Sequence, residues 1–265
     1  MTLDYSMMNV GASLSRHGFT ILPRLLDQRA LDALAASFAH HEAANIPRSA
    51  QVLFVHTPPP PDTPPFDNLM LQWLNPHKRK APLSTFPIAT SLRPVIEELL
   101  GDTAVLFQDL LLDKGESQRS RFAWHQDYPF WPVDKPRGLV VWVPIDPVDE
   151  VAGSLVLAAG SHLSGIGPAI DLHSGNAQPG TTGKVADIDD YEHVCRKLDP
   201  GDAIVFHPLV WHASAPNRSG KRRRAWASSW LSASTRICHA RAPRHPLCKI
   251  IPDGTPVSEW ERFGI

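Results

Sequence analysis

The stretch Asp199-Pro200-Gly201-Asp202-Ala203-Ile204-Val205-Phe206-His207-Pro208-Leu209-Val210-Trp211-His212-Ala213-Ser214-Ala215-Pro216-Asn217 decides how the chain is read. Its four apolar residues, Ala203 to Phe206, stand between the turn signal Pro-Gly-Asp and a second break at Pro208. That run is too short for a helix and fits a buried strand. Runs of the same texture recur on both sides: Ala104 to Leu112, Gly138 to Ile145, Ser154 to Ala158, and Arg224 to Leu231. Between them lie Gly, Pro and Asp rather than the helical pattern of roughly 10 to 15 residues that βαβ units need. The pattern therefore predicts an antiparallel sandwich or jelly roll over about residues 103–235.

Working outward, residues up to about 102 read as helices with one early strand at Gly18-Phe19-Thr20-Ile21-Leu22-Pro23. Asp27 is placed to cap a helix that runs to about Ala43, with Leu31, Leu34, Ala35 and Phe38 on one face. A second helix is expected to start at a Ser91 cap, to bury Leu92, Val95, Ile96, Leu99 and Leu100, and to leave through a left-handed Gly101. The Pro58–Pro65 run lacks the N–H groups of helix or central strand and reads as loop. Leu172 to Lys184, rich in Gly, Ser and Thr, is the other loose stretch. Whether either acts as a lid is left open. The fold class is mainly β with flanking helices, in one domain spanning residues 1–265.

Composition narrows the partners. Lys plus Arg at 26 against Asp plus Glu at 27 gives a formal net charge of −1, which offers no chain-wide attraction to nucleic acid or an anionic membrane. A small-molecule substrate fits better. The three cysteines, Cys195, Cys238 and Cys248, form no C-x-x-C pair, so neither a disulfide framework nor a thiolate zinc site is indicated, and a reducing cytoplasm is the expected home. Met1 to Arg16 lacks the basic start and apolar core of a signal peptide, and the expectation is a soluble, unprocessed protein. Oligomeric state is not readable.

The chemistry centres on His125-Gln126-Asp127. A single H-x-D arises about once by chance in a chain of this composition, so geometry has to discriminate. Residues i and i+2 share a face on a strand but diverge on a helix. His40-His41-Glu42 falls in the helix after Asp27, so it reads as a solvated face, whereas His125 and Asp127 precede Pro129 and Pro132 and an extended conformation is expected. Two histidines and one carboxylate on one side of an iron leave the other side open. The second histidine is His207 or His212, and the residues alone do not separate them.

These motifs, together with Gly153-Ser154-Leu155-Val156, Gly160-Ser161-His162 and Phe206-His207-Pro208 followed by His212, Ser214 and Asn217, resemble the phytanoyl-CoA dioxygenase family of 2-oxoglutarate oxygenases, over about Leu106 to Leu231. The resemblance implies a cupin-like double-stranded β-helix, or jelly roll, buttressed by N-terminal helices. It implies Fe(II) held by His125, Asp127 and His212, with 2-oxoglutarate and O2 as co-substrates. It also implies that Arg223, eleven positions beyond His212, grips the distal carboxylate of 2-oxoglutarate and that Ser214 donates to it. A guanidinium suits that task because it forms two parallel charge-assisted bonds to a carboxylate. Arg222 and Arg224 are the alternatives if the register slips. Gln108 and Trp142 match positions near the co-substrate, and His162 is expected at the surface, without metal.

The activity so implied is hydroxylation of an unactivated C–H with release of succinate and CO2. Asp127 favours hydroxylation over halogenation, because halogenating relatives replace this carboxylate. Desaturation, epoxidation and cyclisation would use the same ligands. A non-catalytic jelly-roll binding protein and a metal hydrolase are the rivals from other classes. For substrate contacts, Tyr128, Phe130 and Trp131 are the aromatic candidates, and Arg119, Arg121, Lys135 and Arg137 are the cationic ones.

Overall fold

The structure, a computed structural model, describes residues 7–43, 71–78, 84–114, 121–172 and 174–263. Its helices are α1 (Met7–His17), α2 (Gln28–Ala43) and α3 (Phe86–Leu100). Its strands are β1 (Phe19–Leu22), β2 (Leu71–Leu74), β3 (Ala104–Lys114), β4 (Phe122–His125), β5 (Gly138–Pro144), β6 (Leu155–Ala158), β7 (His193–Cys195), β8 (Ala203–Phe206), β9 (His212–Ser214) and β10 (Arg223–Ser232). The Pro58–Pro65 run and Arg119 lie outside the described residues.

The strands form two sheets, ordered β1-β8-β5-β10-β3-β2 and β4-β9-β6-β7. Every pairing of named strands is antiparallel. This is the expected jelly roll. Alternation along each strand divides the larger sheet into two faces. On β10, Ala225 and Ala227 join the core between the sheets, while Trp226 and Trp230 join the layer under the helices. The helix layer is filled by Leu34 and Phe38 from α2 and by Ile88, Leu92 and Ile96 from α3. Phe38 meets Trp73 of β2 edge-on at 5.8 Å, and burying such a ring stabilises by about 2–3 kcal/mol.

The early helix behaves as its sequence indicates: the Asp27 carboxylate accepts from the Ala30 N–H at 2.9 Å. Helix α3 corrects the sequence reading. It begins at Phe86, not after Ser91, and the Ser91 hydroxyl donates to the Ile88 carbonyl within the helix. Pro87 in the first turn has its φ already set for helix, and that moves the start upstream. Thr85 occupies the cap position, but its hydroxyl is taken by Asp109 of β3. The exit is as expected, with Gly101 left-handed at φ 65°. Strand β2 is an addition to a region read as helical, and it pairs with β3 at the sheet edge. Leu172 to Lys184 forms no named strand or helix in its described part, although Ala177 bridges Ile170. No helix among the described residues is long and apolar enough to cross a membrane.

Candidate metal and co-substrate site

Strands β4 and β9 pair so that His125 and His212 are register partners, and their rings lie 4.1 Å apart, centroid to centroid. Each imidazole is oriented by the carbonyl two residues before it. His125 Nδ1 lies 2.7 Å from the Ala123 oxygen, and His212 Nδ1 lies 3.0 Å from the Val210 oxygen. A carbonyl only accepts, so each Nδ1 carries the proton and each Nε2 keeps its lone pair for a metal. Asp127 Oδ1 stands 3.7 Å from both Nε2 atoms. Ligands about 2 Å from one ion at right angles stand about 3 Å apart, so a small inward shift of Asp127 would complete the set, and among the described residues these three form the cluster able to hold a metal.

The route to this convergence differs from the expected extended segment. Asp127 is helical in φ and ψ, at −78° and −38°, and opens a tight turn over Tyr128–Phe130 that contains Pro129. The Asp127 and Tyr128 N–H groups both donate to the Pro208 carbonyl. Gln126, fully buried, fastens the same corner: its amide donates to the carbonyls of Gly165 and Leu209 and accepts from the Gly167 N–H. Burial, with His212 adding to it for His125, holds both imidazoles below their usual pKa. They are therefore neutral and able to ligate near pH 7. Burial also raises the Asp127 carboxyl, with His125 pulling the other way.

His207, the other candidate, is not part of the cluster. Its Nδ1 accepts from the Leu209 N–H at 3.2 Å, and its ring faces His162 at 5.7 Å. His162, expected at the surface, is half-buried, with Nε2 3.3 Å from the Ser15 carbonyl oxygen.

One cavity of about 140 Å³ is lined by the three candidate metal ligands together with Arg223, Ser214, Gln108 and Trp142. Arg223 is 1% exposed. Its Nη2 donates to the Gly153 carbonyl at 2.7 Å, while Nε and Nη1 have no partner. The guanidinium carbon sits 5.4 Å from the centre of the Trp142 ring. Burial lowers the Arg223 pKa to about 10, partly offset by Asp113 and Asp146, so the group remains charged at neutral pH. A buried cation with two free donors is the complement of a planar carboxylate. The neighbouring arginines are accounted for elsewhere: Arg222 pairs with Asp113 and Arg224 with Asp146.

Lys114, which the sequence reading passed over, is fully buried behind Ser214. Its ammonium nitrogen donates to Ser214 Oγ at 2.9 Å and to the Ala215 carbonyl. Burial first, then the charge of Arg223, pushes its pKa down to about 6. The space is tight. Gly153 has φ +72°, and a Cβ there would lie 2.5 Å from the Ala215 oxygen and 3.3 Å from Lys114 Nζ. The signal for Lys114 was available in the period of two along β3, which places it on the face that carries Gln108, Leu110 and Leu112.

Of the remaining candidates, Phe130 and Trp131 line the cavity. Tyr128 does not: it is wholly buried and its hydroxyl donates to the Val133 carbonyl at 3.0 Å. Arg137 lies 3.9 Å from Asp102 with half its side chain exposed, and Arg121 and Lys135 are also exposed and outside the cavity wall. Gln72 of β2 and His245 from the segment after β10 complete the wall, and neither had a signal in the sequence.

Two antiparallel sheets, of which the smaller carries two imidazoles that converge with one carboxylate on a shared cavity, define a jelly-roll fold with a candidate facial triad. The phytanoyl-CoA dioxygenase (PhyH) family model matches residues 14–225, and the chain belongs to that family. It is 28% identical over 154 residues to the human peroxisomal phytanoyl-CoA dioxygenase, covering 54% of this chain and 43% of that protein. It is 25% identical over 188 residues to the L-proline trans-4-hydroxylase of Streptomyces griseoviridis, covering 61% and 66%. The chain thus spans less than half the length of the human relative. The fold matches the non-heme α-ketoglutarate-dependent carbocyclase SnoK from nogalamycin biosynthesis, with a TM-score of 0.75, 16% identity, and coverage of 97% of this chain and 95% of that one.

Proposed function

We propose that the protein is an Fe(II)- and 2-oxoglutarate-dependent oxygenase that hydroxylates a C–H bond of a small molecule. The observation that carries this reading is a charged, buried Arg223 with two unused donors in the same cavity as three convergent metal ligands. When bound, Fe(II) and 2-oxoglutarate supply an oxidative decarboxylation to succinate and CO2 that couples O2 to oxidation of the substrate. His125, Asp127 and His212 would hold the metal and leave the side toward the cavity open. Arg223 would take the distal carboxylate through Nε and Nη1.

The other residues position and exclude. Because Lys114 donates to Ser214 Oγ, the Ser214 hydroxyl hydrogen is directed away from Lys114, where it can serve the same carboxylate. Trp142 packs against the guanidinium and limits its rotation. Phe122, Phe130, Trp131, Leu155 and Phe206 give the cavity an apolar wall that keeps water from the reacting carbon. A purely binding jelly roll would have no need of three metal donors with matched tautomers beside a free guanidinium.

Anaerobic titration with Fe(II) and 2-oxoglutarate tests the reading. A weak visible charge-transfer band is expected in the wild type and should be absent in His212→Ala and Asp127→Ala. A band of full strength in both variants would refute the ligand assignment.

A further inference from the structure

The cavity that contains Arg223 and the metal ligands encloses about 140 Å³, room for on the order of ten water-sized atoms. One 2-oxoglutarate fills most of that. Next to it lies a second cavity of about 390 Å³, and Phe130 and His245 belong to the walls of both. A substrate larger than a few atoms that presented a carbon to the metal side would have to extend past Phe130 and His245 to reach this second volume.

The second cavity differs in chemistry. Its wall carries Arg241 and Arg244, along with the loop Gln178-Pro179-Gly180-Thr181-Thr182, and contains no aspartate or glutamate. Arg241 stacks over the Tyr128 ring at 5.3 Å, and its Nε is buried without a hydrogen-bond partner. Four arginines, Arg137, Arg222, Arg224 and Arg262, each face a carboxylate. Neither Arg241 nor Arg244 has an ion pair among the described residues. Two cations facing a cavity with no compensating acid create a positive potential there, and a partly desolvated guanidinium binds carboxylate or phosphate more strongly than it binds water.

Resting on the oxygenase reading of the metal site, we propose that this second cavity binds an anionic end of the substrate, a carboxylate or a phosphate, while the apolar remainder passes Phe130 and His245 toward the metal ligands. The loop at Leu172–Lys184 then has a role through its Gln178–Thr182 part as one wall of the subsite.

The probes are octanoate, octyl phosphate and octan-1-ol, which share one chain and differ in the end group. Binding of each to the intact 265-residue chain is measured by calorimetry at low salt, with Fe(II) and 2-oxoglutarate present under anaerobic conditions and again without them. At least one anion should bind about tenfold or more tightly than the alcohol, and the stronger of the two identifies the headgroup. That preference should disappear in Arg241→Gln/Arg244→Gln and fall several-fold in Arg244→Gln alone. Arg244 is exposed, so its variant tests the idea even if the double variant folds poorly. No preference for either anion in the wild type overturns the proposal, as does a preference that survives in a folded double variant. The visible Fe(II)/2-oxoglutarate band separates the two claims: its loss in the wild type would defeat the oxygenase reading, whereas its retention in the double variant, with loss of anion preference, supports the subsite.

Discussion

The two faces of the β3–β10 ribbon bury charge in opposite ways. On the helix face, Asp109 is wholly buried and fully used: its carboxylate accepts from the Trp226 indole N–H at 2.9 Å, from His77 Nδ1 at 2.6 Å and from the Thr85 hydroxyl. On the cavity face, Arg223 is as deeply buried yet keeps two donors idle, and Lys114 beside it is held by a hydroxyl and a carbonyl with no carboxylate. A buried charge is tolerated when its hydrogen bonds are complete. The helix face meets that condition internally and is a structural joint between β3, β10 and the approach to α3. The cavity face leaves that condition unmet within the protein, with Arg223 Nε and Nη1 unpaired, which is the arrangement the proposed 2-oxoglutarate site requires.

Removing Asp109 should have the largest effect. Asp109→Ala leaves four donors without an acceptor, the Trp226 indole N–H, the Thr85 hydroxyl, and the His77 ring and backbone N–H groups, and is expected to destabilise the fold by about 3–5 kcal/mol, read from urea unfolding; a loss below about 1 kcal/mol would mean the joint is not what holds α3 to the sheet. Arg223→Leu should do the reverse. Stability is expected to stay within about 1 kcal/mol of wild type or rise, while affinity for 2-oxoglutarate falls roughly a hundredfold, about 2.7 kcal/mol, with metal binding retained. Arg222→Leu and Arg224→Leu should leave that affinity within about threefold, since both side chains already face acids outside the cavity. Were Arg224→Leu the damaging change, the two faces of β10 would have been assigned the wrong way round.

That assignment explains what the sequence made legible. Along Arg222-Arg223-Arg224 the period of two separates the middle arginine from its neighbours, so once β10 is a strand one residue faces in and two face out. The strands themselves were readable because short apolar runs between turn residues have few other folds available. His212 was readable only through family resemblance, because its choice over His207 depends on which residue sits opposite His125 across a strand pair, a long-range register that no local pattern encodes. The Asp127 turn was misread for a related reason: the carbonyl that captures its N–H belongs to Pro208, far along the chain. Helix α3 was started too late because Ser91 has the side chain of a cap, yet its hydroxyl bonds to the Ile88 carbonyl inside a helix whose first turn already accommodates Pro87. The wall contributed by His245 comes from a segment with no regular pattern.

Lys114 gives a smaller effect than Arg223 and the finest test of the comparison. Lys114→Met removes an amine whose burial opposes protonation and which has no carboxylate partner, so the free protein should gain stability while affinity for 2-oxoglutarate falls about tenfold through the misplaced Ser214 hydroxyl. Its pH dependence has a definite sign. With the folded pKa near 6 against 10.5 for the unfolded chain, the unfolded state holds the extra proton between those values, so this residue makes stability rise with pH across that window. Its destabilising contribution is complete below about pH 6 and gone above about 10.5. An anion placed against Arg223 and Ser214 draws a proton back onto Lys114, so 2-oxoglutarate binding at pH 7.5 should be accompanied by proton uptake. Calorimetry in two buffers of different ionisation enthalpy measures that uptake directly. It should vanish in Lys114→Met, and equal uptake in variant and wild type would show that the proton goes elsewhere.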